Sequence, residues 1–225
     1  MSAIRRVWVT RAEPGASRTA ARLEALGFEP VVAPLLAVRP LAPLIDLTGI
    51  AALAFTSRNG VEAFAALTSD RDRPVFTVGD ATAEAARATG FTDVRSASGD
   101  ARALARLIAE AEFRGAILVP AAVEPAADLP ALLAGHAEGR AVAVYEAVET
   151  GVPAPAGFDA VLVHSPRAAR ALAMHAWALD DRVAVAISPA AAEPLEDLGL
   201  REIRIAAAPT DAALIEGLGE PGRRV

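Results

Sequence analysis

Apolar runs a few residues long alternate along this chain with alanine-rich stretches whose apolar positions recur at helical spacing. Residues 7–10, 30–33, 51–56, 75–78, 116–119, 141–145, 160–163, 182–186 and 203–206 read as strands. Residues 17–26, 59–67, 81–89, 101–111, 166–173 and 189–198 read as helices, with one more after Thr210. The strands show little in–out alternation, and a strand buried on both faces needs none. The pattern therefore predicts an α/β, doubly wound fold: parallel sheets covered by helices on each side.

The pattern also repeats. Ala51-Ala52-Leu53-Ala54-Phe55-Thr56-Ser57 before a helix matches Asp159-Ala160-Val161-Leu162-Val163-His164-Ser165 before another, about 108 residues later. Val78 to Glu84 matches Ile187 to Glu193, Gly90 with Val94 matches Gly199 with Ile203, and Val32 to Leu35 matches Val142 to Tyr145, all at nearly the same offset. Two similar domains produced by duplication are expected. Pro- and Gly-rich connectors at 38–43 and 148–157 suggest that the chain leaves one domain after two strands, completes the other and returns. The expected division is a discontinuous domain of 1–37 and 150–225 and an inserted domain of 38–149, with a hinge at the two crossings and a cleft as the working surface.

Composition narrows the function. The apolar fraction is 53% and the mean hydropathy +0.34, yet alanine supplies much of both. No stretch approaches the roughly 20 apolar residues of a spanning helix, so no membrane partner is expected. The run Val7 to Val9 stops at Thr10 and Arg11, short of a signal peptide, and a cytoplasmic location is expected. The absence of cysteine excludes a disulfide framework and a thiolate nucleophile. His136, His164 and His175 lack zinc-ligand spacing, so no metal is expected. A net charge of −6 argues against nucleic acid as a partner but leaves room for a small polyanion in a locally positive site.

Ligands of open α/β sheets bind outside the carboxyl ends of the strands, where helix N-termini present unpaired N–H groups. Ser57 and Asn59, Asp80 and Thr82, Ser165 before Pro166, Ser188 before Pro189, and Thr210 all fall at such junctions. Each fits helix capping, which is compatible with anion binding at the same helix end. No Gly-x-Gly-x-x-Gly or lysine-bearing phosphate loop supports nucleotide binding, and no Gly-x-Ser-x-Gly elbow supports a hydrolase. Acid pairs for glycoside chemistry cannot be singled out among 28 Asp and Glu residues. His164 adjoins Ser165, but strand neighbours point to opposite faces, which argues against a catalytic dyad. His136 and His175 read as surface residues. Tyr145, the only tyrosine, is expected at the end of a strand on the cleft floor, as packing or as a neutral proton donor.

Taken in order, Val9-Thr10-Arg11, Leu23, Leu26-Gly27, Val32-Ala33-Pro34-Leu35, Phe55-Thr56-Ser57-Arg58-Asn59-Gly60-Val61, Val78-Gly79-Asp80-Ala81-Thr82-Ala83 and Val144-Tyr145 resemble the uroporphyrinogen-III synthase family across nearly the whole chain. The resemblance implies a lyase of tetrapyrrole and heme biosynthesis that cyclises hydroxymethylbilane to uroporphyrinogen III with inversion of ring D. It implies no cofactor, two domains joined by a two-stranded connector, a substrate bearing eight carboxylates, and action as a monomer. Loss of the ring A hydroxyl would give an azafulvene cation, attack by ring D a spiro intermediate, and reopening and reclosure the inverted product. Carried over by motif, Thr10 and Arg11 border the cleft from one domain and Ser57, Arg58, Asn59, Gly79 and Thr82 from the other, with Ser165 and Ser188 facing them. Tyr145 matches the family's tyrosine and is implied to assist departure of the hydroxyl.

The sequence departs from the family pattern in three places. Pro120-Ala121-Ala122 stands where Pro-Arg-Gly is common, Ser188-Pro189-Ala190-Ala191 where Gly-x-x-Thr recurs, and His164-Ser165 where Thr-Ser recurs. These changes bear on single contacts more than on the fold, because main-chain N–H groups survive side-chain replacement. The competing expectation is a catalytically inactive tetrapyrrole- or polyanion-binding sensor module of the same fold, against which stands the lack of an attached helix-turn-helix or basic segment.

Overall fold

The computed structural model describes residues 4–111, 114–175 and 179–222. By its internal contacts the chain divides into two compact units, Met1–Ala37 with Val148–Val225, and Val38–Ala147.

The first unit contains β1 (Arg6–Val9), α1 (Gly15–Ala25) and β2 (Glu29–Val32) before the chain departs through β3 (Leu36–Pro40). The second unit follows with β4 (Ile50–Phe55), α2 (Arg58–Leu67), β5 (Val75–Thr77), α3 (Asp80–Ala88), β6 (Val94–Ser96), α4 (Ala101–Ala109), β7 (Ala116–Ala122), α5 (Leu129–Leu133) and β8 (Gly139–Glu149). The chain then completes the first unit with β9 (Ala160–Val163), α6 (Pro166–Ala173), β10 (Val183–Ala186), α7 (Pro189–Ala192), a 3-10 turn (Glu193–Leu195), β11 (Glu202–Ile205) and α8 (Asp211–Glu216).

The first sheet has the order β11-β10-β9-β1-β2 with every pair parallel. In order of use this is 2-1-3-4-5, a common doubly wound arrangement. The second sheet runs β3-β8-β7-β4-β5-β6, and β8, β7, β4, β5 and β6 are parallel neighbours. The run β8-β7-β4-β5-β6 reproduces β2-β1-β9-β10-β11 strand for strand. The two halves share one architecture, cut at different points of the chain, which is why the sequence repeat keeps a steady offset without being a simple tandem.

The interior parallel strands bury both faces, so successive residues enter different cores. Val7, Val9, Ala160, Leu162, Val183 and Val185 pack with Ala16 and Leu23 of α1 and Leu214 of α8. Trp8, Val161, Val163, Ala184 and Ala186 pack on the other side with Leu172 of α6 and Ala191 of α7. In the second unit Leu53, Phe55 and Val75 meet Phe64 of α2 and Ala86 of α3, while Ala52, Ala54 and Phe76 meet Leu104 of α4 and Leu133 of α5. The rings of Phe55, Phe64 and Phe91 lie 5.7–6.5 Å apart by centroid, within the range of favourable aromatic pairing.

Four local expectations need correction. Residues 36–40, absent from the expected strands, form β3, which runs into the stretch expected as a connector, and Pro40 is tolerated because β3 lies on the sheet edge. β6 has no counterpart among the expected strands, because an edge strand of three residues, Val94-Arg95-Ser96, carries no apolar run. The helix expected over 189–198 is a four-residue α-helix followed by a 3-10 turn, since Pro194 has no N–H to continue the ladder. β8 extends to Glu149, so Tyr145 lies inside a long strand and not at its end. No helix among the described residues is long and apolar enough to cross a membrane.

Candidate functional site

Parallel strands deliver every strand-to-helix junction to the carboxyl edge of their sheet. In the second unit, Ser57 follows β4 in extended conformation as the N-cap of α2, and its Oγ accepts the Gly60 N–H at 3.0 Å. The same oxygen lies 3.0 Å from the Tyr145 hydroxyl, in a hydrogen bond that either group can donate. Tyr145 stands on β8 opposite Ala122 of β7, and β7 separates β8 from β4. The tyrosine therefore reaches past β7 to the serine. Gly60 has its own reason: a Cβ there would come 2.9 Å from the Pro120 carbonyl oxygen.

Arg58 and Asn59 occupy the first turn of α2 and are half-buried, and the Arg58 Nε is buried without an acceptor. Gly79 opens α3 in extended conformation, and a Cβ built on it would meet nothing within 4 Å, so the main chain is accessible there. Thr82 is a buried helix residue rather than a cap. Asp80, first in α3, accepts the Ser98 hydroxyl at 2.9 Å, and hydrogen bonds from Ser96 and Ser98 hold its carboxyl below the usual range. An acid there suits the helix dipole but opposes an incoming anion.

In the first unit, Thr10 is fully buried and donates to the Leu162 carbonyl at 2.6 Å, tying β1 to β9; its hydroxyl is committed to the fold. Ser165 caps α6 by accepting the Ala168 N–H at 3.1 Å, whereas Ser188 sits at the N-cap of α7 without a side-chain bond. Thr210 caps α8 and sets Asp211 at its first position.

Asp211 is the centre that sequence reasoning missed. Its Oδ1 accepts from Thr19 Oγ1 at 2.7 Å, His164 Nε2 at 2.9 Å and Arg11 Nη1 at 3.1 Å, while Oδ2 accepts from Arg22 Nη1 at 2.8 Å. Burial alone would push this carboxyl up; hydrogen bonds from His164 and Thr19 and the nearby Arg11 charge outweigh it and hold the group far below the usual range. The His164 side chain is only 7% exposed, and burial pushes its pKa down despite the carboxylate. The two directions agree on one state: a neutral imidazole donating through Nε2 to an ionised Asp211. The missed signal was the junction rule itself, for His164 follows β9 and Asp211 opens α8 just as the other candidates do. Among the described residues no group of three or more His, Asp or Glu is placed to hold a metal ion.

A family model described as uroporphyrinogen-III synthase HemD matches residues 17–216. Among solved structures, uroporphyrinogen-III synthetase from Helicobacter pylori is similar at 19% identity, with 95% of this chain and 97% of that chain covered and a TM-score of 0.68. A mutant uroporphyrinogen III synthase from the extreme thermophile Thermus thermophilus is 17% identical, with 95% and 96% covered and a TM-score of 0.54. At these identities the two structures speak for the fold. Comparison with curated proteins gave no match.

Proposed function

With the chain a member of the uroporphyrinogen-III synthase family, enzymes of tetrapyrrole biosynthesis, we propose that its substrate is hydroxymethylbilane and that the Ser57–Tyr145 pair acts at the departing hydroxyl. The hydrogen bond between these two side chains carries the reading, because it brings a phenol to the carboxyl edge with its position fixed by a helix cap. The phenol donates to the ring A hydroxyl as its C–O bond breaks with electrons pushed from the pyrrole nitrogen, and the hydroxyl leaves as water. The proton balance is restored when ring D gives up its own on final cyclisation. Stabilising the resulting cation and holding the two chain ends together are the remaining tasks.

In the second unit, main-chain N–H groups at the heads of α2 and α3, with Arg58 and Asn59 as side-chain partners, suit substrate carboxylates; in the first unit, those at the head of α6 do so with Arg11. Open backbone at Gly79 supports this assignment. Thr10 and Thr82, whose side chains are buried, contribute through backbone position, whereas the hydroxyl of Ser188, which makes no cap bond, is available to a carboxylate. The enzyme works as a cytoplasmic monomer without a nucleic-acid partner, in keeping with its net charge of −6.

Turnover of hydroxymethylbilane by purified wild-type and Tyr145→Phe protein tests the assignment. The variant keeps the Ser57–Gly60 bond and removes only the donor, so kcat falls by about tenfold or more while the thermal midpoint is unchanged. Full activity in Tyr145→Phe would remove the tyrosine from the mechanism.

A further inference from the structure

Asp211 makes no use of its charge in the chemistry above, yet four side-chain donors converge on it. One of them is Arg11, directly after β1, at the point where the first sheet's strand order reverses between β1 and β9. Both N–H groups of Arg11 Nη1 are used, one toward Asp211 at 3.1 Å and one toward Thr19 at 3.3 Å. The Nε and Nη2 groups have no acceptor among the described residues, and 31% of the side chain is exposed. That remaining edge is the one whose two parallel N–H bonds match a carboxylate. It is this same edge that lies against Gly15, where a Cβ would overlap Nε, come 2.8 Å from Nη2 and crowd the edge. The chain contains no lysine, so every permanently cationic side chain available to an acidic ligand is a guanidinium.

We propose that Asp211 is a positioning residue: with Thr19 it holds the Arg11 guanidinium by one nitrogen, in clearance provided by Gly15, so that the Nε–Nη2 edge is presented to a substrate carboxylate. His164 and Arg22 complete the shell of Asp211 and stop the carboxylate from turning. The charge balance fits, because one carboxylate between two arginines, beside a neutral imidazole, leaves the cluster net positive. The inference deepens the functional reading and rests on Arg11 meeting substrate.

The test is a double-mutant cycle on steady-state formation of uroporphyrinogen III. Arg11→Ala raises KM for hydroxymethylbilane about tenfold or more, the scale of a lost charge-assisted contact, with a smaller change in kcat. Gly15→Ala, which leaves Asp211 intact and displaces the guanidinium, raises KM in the same direction, and so does Asp211→Asn. In the Arg11→Ala background Gly15→Ala then changes KM no further. A purely structural role predicts instead that Gly15→Ala and Asp211→Asn lower the thermal midpoint with KM as in wild type, and that result overturns the proposal; should Asp211→Asn fail to fold, Asp211→Glu, which keeps the charge but displaces it from Arg11, decides in its place, a wild-type KM again overturning the proposal. A wild-type KM in Arg11→Ala overturns it too. Failure of the wild-type protein to make the III isomer is a separate outcome, one that removes the enzymatic reading itself.

Discussion

Ser57 serves two partners with one oxygen: it accepts the Gly60 N–H that begins α2 and meets the phenol of Tyr145. Removing it therefore mixes a folding effect with a chemical one, and neighbouring positions separate them. Ser57→Ala loses a cap, about 1 kcal/mol of stability, and leaves Tyr145 without its partner. Gly60→Ala places a methyl group 2.9 Å from the Pro120 carbonyl oxygen of an interior strand, which cannot swing away as a flexible side chain would. Overpacking of that kind costs about 1–3 kcal/mol. Urea titrations should rank Gly60→Ala as the less stable of the two, and the reverse order would show that α2 shifts freely over β7. The sequence made Ser57 legible as a cap and Tyr145 as a lone phenol, but not as a pair. They stand 88 positions apart, and only the strand order that sets β8 and β4 on either side of β7 brings them together.

At the scale of elements, Asp211 fastens α8 to α1 and to the ends of β1 and β9, and this junction titrates. An unfolded histidine takes up a proton near pH 6.5, whereas burial makes His164 resist protonation in the folded chain. On acidification the unfolded state then binds more protons, so stability falls as the pH drops below about 6.5. Asp211, depressed in the fold, adds a second loss as the pH drops below the unfolded carboxyl value of about 3.9 and toward its folded one. Thermal midpoints measured between about pH 7.5 and 5.5, a window that brackets the unfolded histidine value, should decline for the wild type and decline less for His164→Gln. Equal slopes would mean that His164 does not carry the change. Elements with interior, apolar strands were readable in advance: the strand expected over 160–163 coincides with β9 because all four residues are fully buried. Edge elements were read unevenly: β2 and β11 were expected over 30–33 and 203–206, whereas β3 and β6 were not, since Val94-Arg95-Ser96 and the proline-ended Leu36–Pro40 carry too short an apolar run to mark a strand.

For the whole molecule, the shared strand order of the two sheets explains why local repeats at a constant offset predicted the doubly wound class so well. Parallel strands buried on both faces leave continuous apolar runs, and helices must cover each side. The function was legible through ordered motifs at strand-to-helix junctions, because those motifs are constrained by caps, close approaches such as Gly60, and open backbone such as Gly79. The departures at 120–122, 164 and 188 acquire physical content in the fold: Pro120 abuts Gly60 and Ala122 pairs with Tyr145, His164 joins the Asp211 cluster, and Ser188 keeps an N-cap position. The account as a whole requires that the protein impose an outcome that the linear tetrapyrrole does not reach unaided, since spontaneous closure gives the symmetric I isomer. The decisive measurement is the ratio of III to I isomers formed when purified protein is given hydroxymethylbilane. Predominance of uroporphyrinogen III is predicted; isomer I alone, at the rate of the protein-free control, would contradict the account and favour a binding module that has lost the reaction.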